Sequence, residues 1–300
     1  MISYKNLLVT SLFMGLLSSF AWGQSIVEPS PDLVVFKNIP YVTGGEYRQQ
    51  LDLYLPKDYA RAERPYPTIL VVHGGGWARG SKDEYVFLAN WLVPHGYIVA
   101  ITNYRLIDAA YFPAQLQDCK SAVRWLRAHA EKYNIDKRHI GTWGASAGGH
   151  LVALMGSTAG MKEFDVGEHL EQSSDIQAVC DLFGPTFFAL PDPGTTNASG
   201  SSSRRRLIAP DVPDQREAWL KASPMNYVKK DVAPIIIVHG DEDELVSYQQ
   251  SVIYDKALRE AGADCQFITI KGGKHGGEEF MQPQVLKPIE DFFAKHLKSK

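Results

Sequence analysis

The chain of 300 residues is 45% hydrophobic and 22% charged, with a formal charge of -3 at neutral pH. Such a chain is long enough to bury the core of one substantial α/β domain, and its slightly acidic balance gives no sign of the basic surface that a nucleic-acid partner requires. The only basic run, Arg204-Arg205-Arg206, sits in a Gly/Ser-rich stretch and reads as a solvated loop.

In chain order, Lys5 precedes an apolar run from Leu7 to Leu17, and Ser18-Ser19-Phe20-Ala21-Trp22-Gly23 then offers small residues at the two positions a signal peptidase inspects. This is the layout of a cleaved secretory signal, so residues 1–23 are expected to be removed and the mature chain, from about Gln24, to be exported. The run is shorter than the roughly 20 apolar residues of a spanning helix, so no membrane anchor is expected in the mature chain. A first strand is predicted over 33–41, and the alternation of Gln50-Leu51-Asp52-Leu53-Tyr54-Leu55 predicts a half-buried edge strand. Residues 68–72 form a continuous β-branched run suited to a strand buried on both faces of a parallel sheet. The run ends in His73-Gly74-Gly75-Gly76-Trp77.

Helical spacing over 85–95 leads to a strand over 97–102, and a long helix is predicted over 113–133 with Leu116, Val123, Leu126 and Ala130 on its apolar face. A strand over 139–143 then meets Gly144-Ala145-Ser146-Ala147-Gly148-Gly149-His150, and a helix over 147–155 follows. The next strand, over 176–182, closes at Phe183-Gly184-Pro185. From 186 to 222 the pattern lapses apart from a helix near 215–221, and a loop of that length in a compact domain marks a lid-like insertion. Strand 235–238, helix 247–261, strand 265–270 and a terminal helix over 284–297 complete the alternation. Alternating β and α units predict a mostly parallel sheet with helices on both faces and ligands at the carboxyl ends of its strands, the α/β class. Cys119, Cys180 and Cys265 lie in apolar surroundings and are expected as buried reduced thiols. No Cys or His spacing indicates a metal site, and nothing calls for a cofactor.

Chemistry concentrates at Ser146. Glycines two before and two after it permit a sharp strand-to-helix turn that lifts the hydroxyl into the open. A serine needs a base within hydrogen-bond reach and a carboxylate to fix that base's tautomer. Of the nine histidines, His95, His129, His139 and His169 fall in helix-like or connecting segments, His150 stands behind the turn, and His73 and His239 end strands. His296 lies in a basic terminal helix, which leaves His275, in the glycine-rich loop 272–277, as the base. Asp241, Glu242, Asp243 and Glu244 all compete for the acid, and spacing does not choose among them. The resulting order of serine, acid and histidine matches the α/β-hydrolase order. An oxyanion needs preorganised N–H donors, which Gly75, Gly76 and Ala147 can supply.

Together His73-Gly74-Gly75-Gly76-Trp77, Asn103-Tyr104-Arg105, the Ser146 turn, His239-Gly240-Asp241-Glu242-Asp243 and Lys274-His275-Gly276 resemble the α/β-hydrolase esterases related to hormone-sensitive lipase. Within them, the secreted bacterial feruloyl and acetyl-xylan esterase-like branch resembles the chain best, over about residues 35–297. In that pattern the triad acid is the second aspartate of HGDxD, which the resemblance places at Asp243. The hormone-sensitive-lipase group usually has an aspartate before the nucleophile; Ala145 stands there instead, which favours the carbohydrate-esterase branch.

The reading that follows is a secreted serine carboxylic ester hydrolase acting through an acyl-enzyme on acetyl or feruloyl esters of plant cell-wall polysaccharide. Trp77, Tyr104, Phe187, Phe188 and Trp219 are candidates to line an acyl or sugar pocket. An amidase of the kynurenine formamidase type or a peptidase would use the same triad. A hydrolase-fold binding protein would have no need to keep all of Ser146, Asp243 and His275.

Overall fold

In the computed structural model of the chain, residues 27–188 and 206–298 are described. The expected signal, and residues 189–205 of the expected insertion with Arg204 and Arg205, lie outside them.

Eight strands form one sheet: β1 (Leu33–Pro40), β2 (Gln50–Pro56), β3 (Tyr66–Val72), β4 (Ile98–Thr102), β5 (Ile135–Ala145), β6 (Ala178–Leu182), β7 (Ile235–Gly240) and β8 (Cys265–Ile270). Their spatial order is β1-β2-β4-β3-β5-β6-β7-β8. The two pairings that involve β2 are antiparallel, and from β4 to β8 every neighbour is parallel. The fold is that of an α/β hydrolase, with a mostly parallel central sheet flanked by helices.

The apolar runs of β3, β4, β6 and β7 are buried along nearly their whole lengths, as strands covered on both faces must be. One face packs against α2 (Ala114–Ala128), α3 (Ala130–Tyr133), α4 (Ala147–Ser157) and α6 (Gln249–Glu260), through residues such as Leu126, Leu151, Met155 and Leu258. The other packs against α1 (Val86–Leu92) and α7 (Pro283–Leu297), through Leu88, Leu92, Ile289 and Phe293. A further helix among the described residues, α5 (Gln215–Lys221), has Asp214 as its N-cap, accepting from the Glu217 N–H.

Two expectations need correction. The long helix breaks at His129, where the backbone leaves the helical region, so α2 and the single turn α3 replace one continuous element. And β2 is an interior strand; β1 and β8 form the edges. Leu51, Leu53 and Leu55 enter one core while Tyr54 enters the other, so its polar alternation does not face solvent. Asp52 is tolerated there because the buried Lys82 ammonium lies 3.0 Å from its carboxylate and the Asn38 N–H donates to it.

Removing one member of such a pair leaves the other charge buried alone. Lys82→Met is therefore expected to destabilise the fold by ~3–5 kcal/mol, measured as a fall in the urea midpoint. An unchanged midpoint would mean that Asp52 finds water or another donor.

All three cysteines are buried and free, consistent with small hydrophobes in an apolar setting. No helix among the described residues is long and apolar enough to cross a membrane.

Candidate active site

Four loops meet at the carboxyl end of the sheet, following β3, β5, β7 and β8. Ser146 stands between β5 and α4 with φ 56° and ψ -119°, a conformation that non-glycine residues rarely adopt. The flanking glycines make the turn possible by close approach. A Cβ on Gly144 would stand 2.3 Å from the Gly148 carbonyl oxygen, and one on Gly148 would stand 2.1 Å from that of Val72. The strained backbone is held by the Ser146 N–H, which donates to the Leu182 carbonyl, and the Ser146 carbonyl, which accepts from the His150 N–H.

The Ser146 hydroxyl lies 2.9 Å from His275 Nε2, and His275 Nδ1 lies 2.7 Å from Asp243 Oδ2. The imidazole is mostly buried, and the Phe183 ring packs against it at 4.6 Å between centroids. Asp243 receives four donors. Its Oδ1 accepts the Leu245 and Val246 amides, and its Oδ2 accepts both His275 Nδ1 and, at 3.1 Å, His239 Nε2. Burial alone would raise this carboxyl; the hydrogen bonds from the two histidines and the attraction of His275 outweigh it and hold the group well below the usual carboxylate range.

The other acidic candidates do different work. Asp241 accepts the Gly272 N–H at 2.7 Å and lies 3.5 Å from Lys271, bracing the turn between the two loops. Glu242 and Glu244 are exposed. Of the four, the geometry brings Asp243 alone to His275.

The loop after β3 carries the amide donors. Gly75 and Gly76 both have positive φ, and a Cβ at Gly75 would stand 2.3 Å from the Arg79 carbonyl oxygen. Among the described residues no acceptor engages the amides of Gly75, Gly76 or Ala147. The loop is bolted from beneath. Arg48 donates to the Gly80 and Tyr104 carbonyls and lies 3.1 Å from His73 Nε2, while His73 Nδ1 donates to the Gly74 carbonyl. Burial pushes the His73 imidazole down to about 3, and Arg48 pushes the same way, so the ring is neutral with its proton on Nδ1.

Of the expected pocket residues, Trp77, Phe188 and Trp219 gather around His150. The Trp77 indole donates to His150 Nδ1 at 3.2 Å and His150 Nε2 donates to the Ala222 carbonyl, with the Phe188 ring against both Trp77 and Trp219. Phe187 is half-buried, with its backbone N–H and carbonyl both bonded to the Gln250 side chain. Tyr104 is placed elsewhere. It is fully buried, stacks on His73 and donates its hydroxyl to the His73 carbonyl, which makes it a support of the glycine loop with no face left for a ligand.

Arg48, Phe183 and His239 were missed from the sequence. Phe183 has φ 43°, and no residue pattern announces a left-handed phenylalanine. His239 had a signal in its i, i+4 spacing to Asp243, but on an extended strand end that spacing has no fixed geometry.

Asp181, at the end of β6, is a buried neighbour of the Ser146 turn. Its Oδ1 accepts the Gly184 N–H and crowds Gly149, and among the described residues its Oδ2 has no partner. Burial raises it from 3.8 to about 6, against the lowering by Gly184 and His239. The native state therefore holds its proton to higher pH than the unfolded chain, and stability falls as pH rises from about 4 to about 6. The rise corresponds to about 3 kcal/mol. Asp181→Asn is expected to exceed the wild type in unfolding free energy at pH 8, with the gap closing toward pH 4. Equal stability at pH 8 would show that the ionised carboxylate is accommodated.

Comparison with known proteins follows the same line. A family model described as BD-FAE matches residues 51–258. A solved structure titled a truncated form of carbohydrate esterase from gut microbiota is 33% identical, covers 90% of the chain and 99% of its own, and superposes with a TM-score of 0.80. A bifunctional GH43-CE of Bacteroides eggerthii is 32% identical with a TM-score of 0.79, covering 87% of the chain and 35% of its own. Esterase LipC of Mycobacterium tuberculosis (strain ATCC 25618 / H37Rv) is 28% identical over 240 residues, 78% of the chain and 58% of LipC. The chain spans about half the length of the curated relatives it matches.

Proposed function

The chain belongs to the BD-FAE family, and on that premise we propose that it is a serine carboxylic ester hydrolase that removes acetyl or feruloyl groups from plant cell-wall polysaccharide. The observation that carries the reaction is the unbroken hydrogen-bond chain from Ser146 through His275 to Asp243, beside a glycine loop whose Gly75 and Gly76 amides have no acceptor among the described residues.

In this reading Ser146 Oγ attacks the ester carbonyl carbon while His275 Nε2 takes its proton. The charge that develops on the carbonyl oxygen falls to the amides of Gly75, Gly76 and Ala147. Collapse of the tetrahedral intermediate breaks the ester C–O bond, and His275 returns the proton to the departing alcohol. A water activated by the same imidazole then releases the acid and restores Ser146. Asp243, ionised across the working range, holds the Nδ1–H tautomer of His275 and stabilises its cationic form. Phe187 and Trp219, both half-buried, are the apolar groups we assign to an acyl or sugar moiety, with the buried Trp77 and Phe188 packed on His150 in support.

Two observations support a polysaccharide substrate: the likeness to a carbohydrate esterase from gut microbiota and the secretory layout of residues 1–23, which would bring the enzyme to polymers outside the cell. Hydrolysis of short p-nitrophenyl esters, methyl ferulate and acetylated xylan, compared by kcat/KM, is the test. Turnover of the p-nitrophenyl esters together with methyl ferulate or acetylated xylan is expected. Turnover of the p-nitrophenyl esters alone would overturn the polysaccharide assignment while leaving the ester hydrolase in place.

A further inference from the structure

The carboxylate of Asp243 carries one donor more than the proposed reaction needs. His239 Nε2 lies 3.1 Å from the same Oδ2 atom that His275 Nδ1 approaches, and also 3.1 Å from the Val246 carbonyl. Both oxygens can only accept, because Asp243 is held ionised, so Nε2 must carry the ring proton. On the other side of the ring, Nδ1 lies 2.7 Å from the Ser251 hydroxyl. With Nε2 protonated, Nδ1 is left as the acceptor of this tautomer, and the Ser251 O–H donates to it. A single tautomer satisfies every contact. Both side chains of the His239 and Asp243 pair are wholly buried, so water cannot substitute for either.

We propose that His239 is a positioning residue for the proposed triad, its Nε2–H pinning the Asp243 carboxylate that orients His275, and Ser251 setting the tautomer that makes this possible. The inference rests on the esterase reading. Its physical basis is that a carboxylate held by two backbone amides on Oδ1 can still rotate Oδ2 out of line with His275, and the second imidazole removes that freedom. A lysine or arginine at the same place would form an ion pair with Asp243 and draw its charge away from His275. The full relay runs Ser251, His239, Asp243, His275, Ser146, with the second histidine at the end of β7 and Ser251 in the first turn of α6.

A structural role alone would lower stability without caring whether Asp243 is a carboxylate. The test is therefore a double-mutant cycle: His239→Leu and Ser251→Ala, each in the wild type and in Asp243→Asn, assayed as p-nitrophenyl acetate acylation of the full chain. In the wild-type background, kcat is expected to fall by about 10- to 100-fold for His239→Leu and by about 3- to 10-fold for Ser251→Ala, with KM within about twofold. In the Asp243→Asn background the further loss is expected to be less than about twofold, since the group being positioned is already gone. His239→Gln, whose amide can donate in place of Nε2, should restore most of the activity lost in His239→Leu.

Equal losses in both backgrounds, or an unchanged kcat in the wild-type background, would overturn the inference. Should His239→Leu fail to fold, the Ser251→Ala cycle decides by the same criterion. Failure of the esterase reading would look different, as a wild-type chain whose ester turnover does not depend on Ser146.

Discussion

Replacing Ser146 with alanine is expected to lower kcat for p-nitrophenyl acetate by on the order of 10⁵- to 10⁶-fold while leaving the far-UV spectrum and the urea midpoint near those of the wild type. The loss is large because no other group can form the acyl-enzyme. His275 Nε2 has its hydrogen-bond partner in the Ser146 hydroxyl, and the amides of the glycine loop can stabilise an intermediate only after one has formed. The fold should survive because the Ser146 side chain caps nothing: α4 begins without a side-chain cap bond at this residue, and the turn is held by backbone bonds to Leu182 and His150. Near-native turnover in Ser146→Ala would place the nucleophile elsewhere.

Asp243→Asn is expected to be nearly as damaging, with kcat lower by about 10⁴-fold, whereas Asp241→Asn should stay within severalfold of the wild type. The two aspartates are two residues apart, yet their partners differ in kind. Asp243 touches both imidazoles and two loop amides, so an amide there presents a donor where His275 Nδ1 must donate and favours the wrong tautomer. Asp241 braces the Gly272 amide, a contact that asparagine can keep through its carbonyl. Measured side by side, the pair locates the acid without relying on any single variant. Greater damage from Asp241→Asn would move it.

Much of this arrangement was legible in the residues because the strongest signals are local. A buried parallel strand announces itself as a run rich in β-branched residues, and residues 68–72, 97–102 and 235–238 do so because both of their faces are covered. Ser146 was legible because the clash that its two glycines avoid is a clash within five residues. His275 followed by elimination among nine histidines, and the structure brings it to Ser146. Choosing Asp243 over Asp241 took a family resemblance, since both lie in one acidic loop and only the tertiary path of the loop from 271 to 277 decides which faces the imidazole.

What escaped was set by distant partners. The polar positions of β2 looked like a solvent face, but Asp52 is neutralised by Lys82, thirty residues away, and a buried ion pair leaves no periodicity. Tyr104 is a candidate pocket aromatic in the sequence, yet its hydroxyl donates to the His73 carbonyl, thirty-one residues away. Arg48 drew no notice because its work, three contacts to segments 25 to 56 residues away, has no local spacing. His239 reads in the sequence as a strand-end histidine, although its ring lies 3.1 Å from the Asp243 carboxylate at the centre of the site.

The central claim is that Ser146 is the nucleophile, activated by His275. Treating the full chain with a fluorophosphonate and mapping the adduct by mass spectrometry tests it most directly. The account predicts one phosphonyl group, carried on Ser146, appearing in step with the loss of p-nitrophenyl acetate hydrolysis. An unmodified Ser146 in a chain that still hydrolyses the ester, or an adduct on another residue that tracks the loss of activity, would contradict it.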